Sequence, residues 1–199
     1  LWAHNLDLRR EGLAAMSLVD PGSVNVGMRP DGSLHPALAG RPYANSHAAT
    51  EYRLRESGRA GLAPSISIFD PSFLRAVIGF KARGLIPPGA MLKLYFGEDE
   101  TFGFRATPKA LAAYVELMAG LELPWAAAVL GGDILEGSFL EAVLEAGGHI
   151  RVGLEDFSRP SGRSNLDLTR AAAGRIRAAG HSLADFATAR ALLGVPPLS

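Results

Sequence analysis

The sequence predicts an α/β fold of parallel βαβ units, and three observations lead to it. Short apolar runs alternate with longer amphipathic segments; the runs end at Gly, Pro, Asp or Thr residues placed to start and stop helices; and several runs alternate polar with apolar residues. Parallel neighbours need a crossover, which the intervening helices would supply. An open doubly wound sheet and a (β/α)8 TIM barrel both satisfy this alternation. No G-x-G-x-x-G fingerprint follows a strand, which argues against a nucleotide-binding open sheet, whereas polar side chains inside strands suit a barrel interior. Five strands are expected against about eight in a closed barrel, so the chain would hold only about the last five βα units. Residues 1–199 are expected to form a single domain.

The chain opens at Leu1 without Met and soon enters what reads as the end of a helix, around residues 8–15, so an N-terminal part is expected to be missing. Residues 15–27 hold a short apolar piece, the turn signal Asp20-Pro21-Gly22 and a second piece, consistent with a strand ending near Ser23 or Asn25. Residues 27–48 are rich in Gly, Pro, Asn and Ser, and so long a loop is usually functional or an interface element. Residues 50–61 read as a mostly polar helix. Residues 65–69 read as a strand, after which Asp70 is placed to cap a helix with Pro71 in its first turn and Gly84 beyond its end. Residues 91–96 form the next strand. A loop over 97–106 leads to Thr107-Pro108, a cap and first-turn proline of a helix reaching about residue 119. Residues 125–130 are a strand, about 136–146 a helix, and 147–156 the last strand. Ser164 with Asp167 resembles a capping box for a helix ending at Gly180, and Ser182 with Asp185 repeats the signal for one ending at Gly194.

Hydrophobic residues make up 48% of the chain and charged residues 20%, enough for one well-filled core. Twenty basic residues balance twenty acidic ones, with no basic cluster, so nucleic acid and anionic membrane are poor partners. The chain has no cysteine, which removes thiolate chemistry and leaves His, Asp and Glu as metal ligands. This composition, without a signal peptide or membrane span, suits a cytoplasmic protein.

Barrel chemistry sits at the C-terminal ends of strands. That rule selects Ser23 and Asn25, then Ser67, Phe69 and Asp70, then Tyr95 and Gly97, then Gly131 and Asp133, and last Arg151, Glu155 and Asp156. The last three carry the most chemistry. Strand alternation would put His149, Arg151, Gly153 and Glu155 on one face, with Gly153 leaving room for the arginine. A carboxylate at a strand end can bind a cation, and one beside an arginine can be a base held ionised. The same spacing fits a structural Arg151–Glu155 pair with Asp156 merely starting a loop. His149 reads as a hydrogen-bonded core histidine, and Asp70 as a helix cap. His4, His35, His47 and His181 form no H-x-H or H-x-x-x-H pair.

The run Gly147-Gly148-His149-Ile150-Arg151-Val152-Gly153-Leu154-Glu155-Asp156 resembles the beta-keto acid cleavage enzymes, the family of 3-keto-5-aminohexanoate cleavage enzyme. Ser17 to Asn25, Ile68-Phe69-Asp70, Gly84-Leu85-Ile86-Pro87-Pro88 and Ser164-Asn165 extend the resemblance in order along the chain. It implies a (β/α)8 barrel with a bound zinc ion, usually a tetramer and so a homo-oligomer, that condenses a β-keto acid with acetyl-CoA to give acetoacetate and a new acyl-CoA. Carried over residue by residue, Glu155 matches the zinc-binding glutamate, and Arg151 and Asp156 match a catalytic dyad in which the aspartate takes the proton. The family's H-x-H ligand pair, its serine loop after the third strand and its first-strand acidic residue have no match here, and Ser67 stands where many members carry a glutamate. As an isolated 199-residue fragment the chain is expected to be inactive, the remaining zinc ligands lying outside it. Two rival readings are a truncated, non-catalytic barrel serving as a binding or assembly subunit through the 27–48 loop, and another metal-dependent barrel lyase or aldolase.

Overall fold

The computed structural model describes residues 2–157 and 162–195. Helix α1 (His4–Arg10) precedes strand β1 (Met16–Val19), a short antiparallel pair β2 (Val24–Asn25) and β3 (Pro42–Tyr43), and helix α2 (His47–Ala60). Then come β4 (Ala63–Ile68), α3 (Pro71–Ala82), β5 (Met91–Gly97), α4 (Pro108–Leu117), β6 (Trp125–Leu130), α5 (Phe139–Glu145) and β7 (His149–Ile150). A single 3-10 turn (Leu154–Asp156) leads to α6 (Asn165–Ala178) and α7 (Phe186–Leu193).

The main sheet has the order β1-β4-β5-β6-β7, and every neighbouring pair is parallel. Each strand lies beside the one before it, with one of α2, α3, α4 and α5 in each crossover. A doubly wound sheet would reverse its order at a switch point, and this one does not. Right-handed crossovers that never reverse keep the helices on one face. The buried core shows the result: Val19, Ile66, Ile68, Leu92, Leu94, Phe96, Ala127 and Val129 from the strands pack with Phe73 and Leu74 of α3, Tyr114 of α4, and Phe139 and Leu140 of α5. Alternation sends Ser65, Ser67, Lys93, Tyr95, Ala126, Ala128 and His149 to the opposite face. That face carries the site.

The predicted caps hold in α3 and α4. Asp70 Oδ1 accepts from the Ser72 amide at 2.8 Å, and Thr107 Oγ1 from the Ala110 amide at 3.2 Å. The capping box of Ser164 and Asp167 forms at the start of α6. Several boundaries differ. Strand β1 stops at Val19, so Ser23 and Asn25 are not at its end; Asn25 pairs with Pro42 in the small hairpin instead. Helix α2 begins at His47 because Ser46 caps it, its side chain accepting from the Ala49 amide at 3.2 Å. Helix α5 starts at Phe139, and α7 is capped by Asp185 itself rather than by Ser182. The 27–48 stretch is not bare loop, since it contains β3, a bridge between Met28 and Leu34, and the first turn of α2. Among the described residues no helix is long and apolar enough to cross a membrane.

Gly148 lies against the ring of Trp125, and a Cβ there would come within 2.3 Å of it. Gly148→Ala should therefore destabilise the fold by about 1–3 kcal/mol, because the indole must move out of a close-packed layer. Equilibrium denaturation compared with wild type measures it; an unchanged midpoint would contradict the packing.

Candidate active site

The polar face of the sheet is organised in rows by the strand register. Ser67 pairs with Lys93, Lys93 with Ala126 and Ala126 with His149, so these four share one row. Tyr95 pairs with Ala128 in the next row towards the C-terminal ends, and the ladder carries Arg151 to the same level, its amide donating to the Ala127 carbonyl at 2.9 Å. Asp20, directly after β1, reaches this face because Val19 before it points into the helical side.

Arg151, Glu155 and Asp156 do come together, although not along a strand as the sequence suggested. Strand β7 ends at Ile150, and the 3-10 turn at Leu154–Asp156 folds the chain back. The fold-back brings both carboxylates to the guanidinium: Arg151 Nη2 donates to Glu155 Oε2 at 2.7 Å, and Arg151 Nη1 donates to Asp156 Oδ1. Asp156 is 4% exposed and is held at every polar point. Its Oδ2 accepts from the Gly153 amide at 2.8 Å, and its carbonyl accepts from the Gly131 amide at 2.6 Å. Glu155, by contrast, has a side chain 73% exposed at the rim. A Cβ on Gly153 would sit 3.6 Å from Arg151 Nη2, so Gly153 does adjoin the arginine, and its amide adds a second grip on Asp156.

Tyr95 forms the floor beside this pair. Its ring stacks on Phe69 at 4.8 Å between centroids and lies 5.5 Å from Arg151 Cζ and 5.7 Å from Lys93 Nζ. Burial raises the Tyr95 phenol above its ordinary range, and burial likewise lowers the proton affinity of Lys93. Phe69 also meets Tyr43 and Phe102 edge-on. The 27–48 and 97–106 segments are joined where Glu100 Oε2 accepts from the Gly27 amide at 2.9 Å. Together they wall a cleft of about 460 Å³ whose lining includes Tyr43, Phe69, Phe102, Glu155, Asp156 and Phe157. A larger hollow of about 670 Å³ lies at the starts of α2 and α3, away from the Arg151–Asp156 pair.

The remaining predicted positions divide. Gly97 and Gly131 admit close backbone: a Cβ on Gly131, whose φ is +77°, would lie 2.5 Å from Asp99. Asp133 is occupied elsewhere, accepting from the Leu135 amide at 2.9 Å and pairing with Arg163 at 2.8 Å. Asp70 is a cap. Ser67 is buried in the Lys93 row. Ser23 bonds the backbone of Asn45 and supports the hairpin. His149 is exposed, contrary to the core reading, because it lies on the outermost strand, which pairs only with β6. Sequence reasoning missed Asp20, Tyr43 and Lys93. Asp20 looked like a turn residue, yet its Oδ2 accepts the Tyr43 phenol at 2.5 Å. The signal for Lys93 was present, as a single lysine inside an otherwise apolar strand.

With the geometry established, comparison with known proteins places the chain. Residues 3–195 match the beta-keto acid cleavage enzyme family. The chain belongs to that family. It is 29% identical over 164 residues to 3-oxoadipate:acetyl-CoA acetyltransferase of Cupriavidus necator, a match covering 79% of this chain and 56% of that protein. Its fold is similar to ObcA in the ternary complex with a C4-CoA adduct and oxalate, with TM-score 0.56 and 15% identity over 96% of this chain and 50% of that one. ObcA in the binary complex with oxaloacetate gives the same TM-score and identity, with 97% of this chain covered. The chain thus spans about half the length of these relatives.

Burial, followed by the hydrogen bond to Asp20, pushes the Tyr43 phenol up from 10.0 to about 12. The folded protein holds this proton more tightly than the unfolded chain does. The associated stability is therefore complete below pH 10 and is lost as pH rises through about 12. Tyr43→Phe should flatten the alkaline loss of stability in that window when denaturation midpoints are followed against pH. An identical alkaline limb would contradict the Tyr43–Asp20 bond.

Proposed function

We propose that the chain forms the C-terminal part of a (β/α)8 barrel β-keto acid cleavage enzyme, which joins a β-keto acid to acetyl-CoA and releases acetoacetate and a new acyl-CoA. What supports this most is the Arg151–Asp156 pair buried at the strand ends, in a chain of the beta-keto acid cleavage enzyme family. Asp156 is the base. It takes the proton from the carbon between the carboxylate and the ketone; the resulting enolate carbon attacks the thioester carbonyl of acetyl-CoA and expels CoA thiolate. The thiolate then adds to the substrate's original ketone carbon so that the bond from it to the former nucleophilic carbon breaks, giving the new acyl-CoA and, once the proton returns, acetoacetate.

A carboxylate clamped by an arginine is a weak base until the clamp loosens. Arg151 has a second carboxylate to turn to, since Glu155 lies 2.7 Å from its other terminal nitrogen. Shifting the guanidinium towards Glu155 frees an Asp156 oxygen to accept the proton, while the Gly153 amide keeps the carboxylate aimed. After proton transfer the arginine remains close enough to stabilise negative charge on the enolate oxygen.

The family resemblance also brings zinc, with Glu155 as one ligand. The described residues do not form such a site by themselves, because no group of three or more His, Asp or Glu side chains gathers among them and zinc sites take at least three protein ligands. On this reading Glu155 would be one ligand, and the other ligands would have to come from residues outside those described.

In the full-length protein, Asp156→Asn should lower acetoacetate formation from a β-keto acid and acetyl-CoA by about 10²- to 10⁴-fold while leaving the fold intact by circular dichroism. Full activity in that variant would end the base assignment. Glu155→Ala should reduce the zinc content measured on the purified protein, and unchanged zinc with unchanged turnover would remove Glu155 from the metal site.

A further inference from the structure

Lys93 has no part in the proposed acyl transfer, yet it stands on the face that carries it. The chain has three lysines. Lys81 donates to the Leu121 carbonyl, and Lys109 is exposed in the first turn of α4. Lys93 is different on both counts. It lies in the middle of β5, half-buried, and its partners in the register are Ser67 and Ala126, whose short side chains leave room beside it.

The amine is close to the reacting groups. Lys93 Nζ is 5.7 Å from the centroid of the Tyr95 ring, and Arg151 Cζ is 5.5 Å from the same ring. One aromatic ring therefore supports both the amine and the guanidinium that holds Asp156. Among the described residues the Lys93 nitrogen makes no hydrogen bond or ion pair, so its lone pair, once deprotonated, is not committed to a neighbour.

A lysine acts as a nucleophile only in its neutral form, and desolvation is one way to favour that form. Burial lowers the proton affinity of Lys93. The carboxylates of Asp20 and Glu155 oppose this through space and Arg151 assists it, and burial outweighs the two carboxylates. Lys81 is tied to a carbonyl and Lys109 keeps its water, so neither shares this combination.

We propose that Lys93 is an amine nucleophile that forms an imine with the ketone of a β-keto acid and thereby releases carbon dioxide from it. The inference takes its substrate class from the β-keto acid reading and adds a second activity on the same face. The neutral amine adds to the ketone carbon, and water leaves to give the iminium. The bond to the carboxylate carbon then breaks, its electron pair flows to the iminium nitrogen, and carbon dioxide departs. The enamine carbon takes a proton from water, and hydrolysis returns the amine and a methyl or methylene ketone. One β-keto carboxylate and one proton thus give one ketone and carbon dioxide, with no oxidant or reductant required.

Incubating the full-length protein with acetoacetate and sodium cyanoborohydride, followed by digestion and mass spectrometry, reads the imine directly. The reduced adduct should accumulate on Lys93 ahead of Lys81 and Lys109, and the wild type should release carbon dioxide from acetoacetate above the buffer rate. Lys93→Arg, which keeps the charge but cannot form the imine, should lose that release while retaining its circular dichroism spectrum. No adduct on Lys93, equal labelling of Lys93 and Lys109, or undiminished release in Lys93→Arg would each overturn the proposal, and the first two need no variant. Acyl transfer from acetyl-CoA, assayed on the same protein, separates this inference from the reading beneath it. A Lys93 adduct without acyl transfer would defeat the proposed reaction alone, and acyl transfer without a Lys93 adduct would defeat the imine alone.

Discussion

Alternation of side chains along parallel strands is the constraint on which this structure depends. Every second residue of β4, β5 and β6 must enter the helix–sheet core, and those residues are Ile, Leu, Phe, Ala and Val. The intervening positions are forced onto the opposite face whatever their polarity. Lys93, Tyr95, Ser67 and Arg151 lie there because shifting any strand by one residue would drive charge into the core and expose the apolar set. The site is a consequence of burying the other side.

The Arg151–Asp156 pair shows how a buried charge is held. Removing a carboxylate from water is costly unless its lone pairs are satisfied, and Asp156 meets this with the guanidinium and the Gly153 amide. Gly131 then ties the Asp156 backbone to the end of β6, so the 3-10 turn after β7 cannot drift from the sheet. Glu155 stays exposed at the rim while sharing the same arginine, so one guanidinium holds a buried and an exposed carboxylate at once.

The aromatic group around Phe69 performs a different task. Phe69 touches Tyr43, Phe73, Tyr95 and Phe102, which links the hairpin, α3, β5 and the 97–106 segment across one ring. Gly103 passes so near that a Cβ on it would lie 2.1 Å from the Phe69 carbonyl, and its φ of +60° is in the left-handed region. The cleft wall is therefore packed onto the end of β4.

The sequence by itself determined much of this protein. Periodicity and capping residues showed the parallel α/β class, the five sheet strands and the starts of α3, α4 and α6, because caps and alternation are local properties. It also singled out Arg151, Glu155 and Asp156 through a motif. Only the tertiary structure decided how those three meet. They were expected to lie along one strand, yet the strand stops at Ile150 and a 3-10 turn delivers both carboxylates to one guanidinium. Tertiary contacts likewise turned Asp20 from a turn residue into the partner of Tyr43, exposed His149 on an outermost strand, and set Lys93 half-buried between Ser67 and Ala126. Each of these depends on which strands are neighbours, and a linear pattern carries that information only where the pairing partners are local.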